Sequence, residues 1–159
     1  MGFAPFKPIK SMANDQEEKG KGIPVISESF ASPSLALGET WKVYLNASDA
    51  DGDMKHIVCT IDQPGIGPFS AGFTRIKEEN RQQFSGYIYL FTGGTGGVNL
   101  SNLTLTVQIQ DRAGHFSNPV SFSLSFEHGA KQENPPLDAF QEKDLGPVMI
   151  PLQSPRGDG

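Results

Sequence analysis

Cysteine occurs once in the 159 residues, as Cys59, which excludes an internal disulfide and any multi-cysteine metal site. No apolar run approaches the ~18 to 20 residues that a helix needs to cross a bilayer, so no helical membrane span is expected. Positive charge is scarce: 13 Lys and Arg face 18 Asp and Glu, a formal net charge of -5. That balance argues against non-specific nucleic-acid binding, which depends on cations meeting phosphates. Helical periodicity is missing as well. No segment sustains an apolar repeat of 3.6 residues, and residues 75–83 are too polar for more than one helical turn.

What the chain does have is alternation. Residues 103–110 (LTLTVQIQ) place Leu103, Leu105, Val107 and Ile109 on one face and polar residues on the other, the period of two of a half-buried strand. Residues 120–126 (VSFSLSF), 41–46 (WKVYLN) and 57–62 (IVCTID) repeat the pattern. Residues 84–91 (FSGYIYLF) are apolar on both faces, as a strand is when a tail or loop covers its outer side. Residues 23–30 and 72–77 are weaker strands. About seven strands punctuated by turn residues (Asp51-Gly52, Pro64-Gly65, the run from Gly93 to Gly97, Ala113-Gly114) predict an all-β fold, an antiparallel β-sandwich. The expected inward residues are Trp41, Val43, Leu45, Ile57, Cys59, Ile61, Ile88, Leu90, Leu103, Leu105, Val107, Ile109, Phe122, Leu124 and Phe126. A core of that size needs no disulfide to fold.

Composition divides the chain into a tail over residues 1–22, a folded domain over 23–127 and a tail over 128–159. The last segment carries Pro135, Pro136, Pro147, Pro151 and Pro155, which break helices and cannot donate to a ladder, so it reads as largely disordered. Val148, Met149 and Ile150 are its candidates for docking on the core. The N-terminus has Lys7 and Lys10 but no apolar stretch after them, so it does not read as a signal peptide. Taken literally the chain is cytoplasmic; if a leader has been removed, it is extracytoplasmic.

Two stretches carry a resemblance. Residues 46–54 (NASDADGDM), following a strand that contains Trp41, resemble the turn between the second and third strands of bacterial immunoglobulin-like, fibronectin type III-like and cadherin-like modules. Residues 107–118 (VQIQDRAGHFSN) resemble the end of their sixth strand. The resemblance covers about residues 23–127 and implies an immunoglobulin-like β-sandwich acting as an extracytoplasmic binding, spacer or adhesion module without catalysis. In such a sandwich the loops after the second and sixth strands lie side by side. Asp49, Asp51 and Asp53 are then expected to meet Asp111. Four carboxylates together repel one another, and hard oxygens of this kind suit Ca2+, with backbone carbonyls or Asn118 completing the shell. The spacing is not that of an EF-hand: Gly52 stands fourth and Thr60 twelfth from Asp49, where Gly is needed sixth and Glu twelfth. Turn chemistry alone is the other reading, since Asp and Gly stabilise tight turns.

Tyr44, Tyr87 and Tyr89 offer an aromatic face for sugar rings, or else a cover for a sheet's outer side. With the Gly-rich loop at 93–97 they make a carbohydrate-binding module the alternative to a plain binding or spacer module. The partner is then an unknown protein or a polysaccharide. No catalytic constellation is present: Ser70 lacks a nucleophile-elbow frame, and His56, His115 and His128 show no pairing signature. His115 falls in the acidic loop cluster, where a ligand role and that of an exposed loop residue are both open. Cys59, alternating with Ile57 and Ile61, reads as a small core residue.

Overall fold

The structure, a computed structural model, describes residues 22–64, 67–68, 72–92 and 102–148. Its strands are β1 (Val25–Ala31), β2 (Ser34–Leu35), β3 (Thr40–Ser48), β4 (Met54–Gln63), β5 (Gly67–Pro68), β6 (Gly72–Arg75), β7 (Gln83–Phe91), β8 (Asn102–Asp111), β9 (Val120–Phe126) and β10 (Asp144–Pro147). Residues 78–80 form a single 3-10 turn between β6 and β7, the helical turn that the polar run allowed.

Two sheets pack face to face. One has the order β2-β9-β8-β4-β5, with β6 also paired to β4; the other has the order β10-β7-β3-β1. Leaving out β10, the third, fourth, seventh and eighth strands fall into two sheets as an immunoglobulin-like sandwich requires: β3 and β7 pair in one, β4 and β8 in the other. The first strand is divided between them, β1 antiparallel to β3 and β2 parallel to β9. The chain is therefore an immunoglobulin-like β-sandwich.

Alternation explains the layers. Along β8, Leu103, Leu105, Val107 and Ile109 are buried while the residues between them are half-exposed. Along β3, Trp41, Val43, Leu45 and Ala47 face inward. Trp41 is fully buried, donates its indole N–H to the Ser32 carbonyl (3.0 Å) and meets Phe122 edge-on at 6.4 Å. The expected inward residues are all in the core except Phe122 and Phe126, which are partly buried against it. At ~25 cal/mol per Å2 of apolar area removed from water, these facing layers dominate the stability of the fold.

The C-terminal segment departs from expectation. Residues 131–148 do not trail away from the sandwich; they form a strap across the outer face of the four-stranded sheet. The strap begins where the Gln132 side-chain oxygen accepts the Lys42 N–H (2.9 Å) and the Glu133 N–H donates to the Ser32 hydroxyl (2.6 Å). It continues through Asn46 donating to the Ala139 carbonyl (2.9 Å) and the Gln141 N–H donating to the Ser85 hydroxyl (2.9 Å). It ends as β10, parallel to β7, with the Tyr87 N–H on the Lys143 carbonyl and the Val148 N–H on the Tyr89 carbonyl, both at 2.8 Å. Pro147 is tolerated because β10 is an edge strand, where a missing donor costs no ladder bond. Leu145 and Val148 are buried against the core. Met149, Ile150 and the rest of the expected tails at 1–21 and 149–159 lie outside the described residues.

Candidate functional site

Three connections meet at one pole of the sandwich. The β3–β4 turn is fixed to the β6–β7 connection by the Asp49 N–H on the Gln82 carbonyl (2.9 Å) and the Met54 N–H on the Arg81 carbonyl (3.1 Å). It is fixed to the β8–β9 turn by the Arg112 N–H on the Asp53 carbonyl (3.0 Å), and Met54 pairs with Asp111 in the sheet. The two acidic turns, distant in sequence, therefore share this end.

Within the first turn, Asp49 Oδ1 accepts the Asp51 N–H (3.0 Å) and the Asp49 carbonyl accepts the Gly52 N–H (3.0 Å). Gly52 has φ +67°, a left-handed conformation that glycine adopts without a Cβ penalty. This local winding, rather than sheet pairing, brings one carboxylate oxygen each of Asp49, Asp51 and Asp53 within 4.8 Å of one another. Oxygens on opposite sides of a Ca2+ ion at ~2.4 Å also lie ~4.8 Å apart, so the three fit one coordination sphere as they stand.

Asp49 is the unusual member. It is 2% exposed, and its Oδ2 is buried without a hydrogen-bond partner, as is Asp53 Oδ1. Burial pushes the Asp49 carboxyl up to about 6; the Asp51 N–H acts against this, while facing Asp53 and nearby Asp111 reinforce it. An ionised carboxylate desolvated among other carboxylates is unfavourable unless a proton or a cation lies between them.

Asp111 does not join the triad. Its carboxylate, 1% exposed, turns into its own loop, where Oδ1 accepts the His115 N–H (2.8 Å) and Oδ2 lies 3.0 Å from His115 Nδ1. The expected cluster of four carboxylates is thus three, with Asp111 acting through its charge, and His115 is a partner of Asp111. Asn118 is likewise committed elsewhere: its side chain accepts the Ile26 N–H (3.0 Å) and donates to the Ile26 carbonyl (3.1 Å).

The tyrosines line the outer face of the four-stranded sheet, but the strap lies over them. Tyr44 is 3% exposed, donates its hydroxyl to Glu142 (2.6 Å) and packs on Phe140 at 5.6 Å. Burial, then the hydrogen bond and charge of Glu142, raise its phenol well above the ordinary value. Tyr87 and Tyr89 are half-buried, and Lys42 Nζ sits 4.5 Å over the Tyr87 ring. The expectation of a three-tyrosine platform is corrected: a stacking sugar needs an open ring face, and Tyr44 has none. Beside this cover the strap and sheet enclose instead a groove of about 730 Å3, whose walls include Asn46, Asn80, Gln83, Ser85, Phe140 and Gln141. No pattern in the sequence announced it, because its second wall is the segment that reads as a tail. Ser70 and the run from Gly93 to Gly97 lie outside the described residues.

No protein-family model matches this sequence, and no curated protein does. Among solved structures, the fibronectin(III)-like modules of Clostridium thermocellum CbhA align at 14% identity and a TM-score of 0.38, over 77% of this chain and 50% of theirs. The chain spans half the length of that structure. The assignment of the fold rests on the strand order given above. No helix among the described residues is long and apolar enough to cross a membrane.

Proposed function

We propose that the chain is a non-catalytic binding or spacer module, and that its acidic pole takes a structural Ca2+ through Asp49, Asp51 and Asp53. The observation that carries the cation is the buried, unpartnered Oδ2 of Asp49, on a carboxylate that has an oxygen within 4.8 Å of those of Asp51 and Asp53. The ion's role is mechanical: it ties the β3–β4 turn, on which two other connections hang, into one rigid end. A role outside the cytoplasm suits such a site, because weak extracellular Ca2+ modules have affinities of ~0.1 to 1 mM. The test is the thermal midpoint of the full chain in chelator and in ~1 mM Ca2+. At a Kd of ~0.1 mM the ion adds ~1.4 kcal/mol, a rise of several degrees. A midpoint indifferent to Ca2+ overturns the site and leaves the fold untouched.

The groove supports a second reading, a carbohydrate-binding module. Amide and hydroxyl side chains both donate and accept, as sugar hydroxyls do, and Asn46 Oδ1 is buried without a partner beside it. The site would then be the groove under the strap and not the tyrosine row. Failure of cellulose, xylan, chitin and starch alike to retain the protein counts against it.

A further inference from the structure

Lys55 at the start of β4, Arg75 at the end of β6, Arg81 in the β6–β7 connection and Arg112 in the β8–β9 turn line one cavity of about 100 Å3. His56 and Ile76 complete its lining, and no carboxylate is among it. Among the described residues none of these four cations has an ion-pair partner.

This is unexpected in a chain of net charge -5, and more so for its position. The backbone places two of these residues beside the aspartate turn: the Arg112 N–H bonds the Asp53 carbonyl and the Arg81 carbonyl accepts the Met54 N–H. The three carboxylates lie within 4.8 Å of one another, whereas the cavity that the four basic residues line has no carboxylate in its wall. Clustered like charges are unfavourable in the absence of a counter-ion, and guanidinium forks match the oxygens of sulfate, phosphate and carboxylate. The cavity holds one such group, being well below the ~300 Å3 at which pockets for whole small molecules begin.

His56 reports on this field. Its ring lies edge-on to Phe73 at 5.5 Å, and its Nδ1 is buried without a partner. Burial, then Lys55 and Arg75, hold its pKa below the ordinary histidine value.

We propose that Lys55, Arg75, Arg81 and Arg112 form an oxyanion-binding pocket that takes a single sulfate, phosphate or carboxylate group. The proposal does not use the aspartate triad, so its test is run in chelator and stands apart from the fate of the Ca2+ site. The full chain is titrated with sodium sulfate, sodium phosphate and sodium acetate at fixed ionic strength, following backbone and arginine side-chain resonances. The expected result is saturable movement at residues 55–56, 75, 81 and 112 with at least one anion, at a midpoint below ~20 mM. The order of the three separates a tetrahedral from a planar group. Arg75 and Arg112 are exposed, so the double variant Arg75→Gln, Arg112→Gln keeps the fold and weakens binding at least ~10-fold. Lys131→Gln, on the strap and outside the pocket, leaves binding unchanged. Non-saturating shifts for all three anions, equal shifts with chloride, or equal weakening by Lys131→Gln overturn the proposal. If the double variant unfolds, the titration of the unaltered chain decides alone.

Discussion

Gly86 lies directly beneath the backbone carbonyl of Lys143, so close that a Cβ on Gly86 would overlap that oxygen and stand 2.9 Å from Leu145 Cγ. The strap can reach β7 only because position 86 has no side chain. Gly86→Ala is therefore expected to lift the strap and leave the sandwich standing. Overpacking of this kind costs ~1 to 3 kcal/mol. Limited proteolysis should show cleavage within residues 131–148 in the variant and protection in the parent, with a folded product remaining.

Asp49→Asn separates two contributions that ordinarily move together. In chelator it is expected to stabilise the protein by about 1 kcal/mol, because a buried carboxylate facing Asp53 is replaced by a neutral amide. In Ca2+ it should abolish the rise in midpoint seen with the parent. Loss of stability in both conditions would sink the idea that charge, and not packing, is what position 49 is made for. Chemical denaturation at neutral pH with and without Ca2+ measures both.

The pH dependence follows from the same group. The folded carboxyl of Asp49, at about 6, lies above its ordinary value near 3.8, so the native state holds the proton more tightly than the unfolded chain. Its favourable share is fully present below the ordinary value and is lost as pH rises through about 6. In chelator the parent should thus lose stability relative to Asp49→Asn between pH 4 and pH 7. A difference that is flat over that window removes the basis of the prediction.

Asn118→Ala removes both hydrogen bonds to Ile26, 92 positions away. At ~0.5 to 1.5 kcal/mol each, a loss of ~1 to 3 kcal/mol is expected. Amide exchange should accelerate at Ile26 and along β1 while β8 stays protected.

Cys59 is 1% exposed, and burial pushes its thiol up to about 12. An aromatic disulfide reagent at pH 8 should leave it unmodified in the native protein and label it once denaturant has unfolded the chain.

The interior of the sandwich was legible because each of its strands repeats one local rule. Along β8, every odd residue from Leu103 to Ile109 is aliphatic, and period two settles which face is buried. The aspartate triad was legible for a similar reason, since Asp49, Asp51 and Asp53 belong to one short turn. Asp111 was not, because its choice between the triad and His115 depends on where the β8–β9 turn directs it. The strap was hidden for a different reason. Lys42 with Gln132 and Ser32 with Glu133 are contacts between a side chain and a backbone 90 and 101 positions apart, and no periodicity encodes them. The two-sided apolar character of residues 84–91 was its one trace, since Tyr87 and Tyr89 need a cover.

The direction of β10 has a mechanical consequence. Val25 pairs with Ser48 beside the aspartate turn, while Pro147 pairs with Tyr89 toward the other end of the sheet. Tension applied through positions 25 and 148 therefore pulls along the strands, loading the outermost hydrogen bonds of both edges in shear so that they must yield together instead of unzipping one at a time.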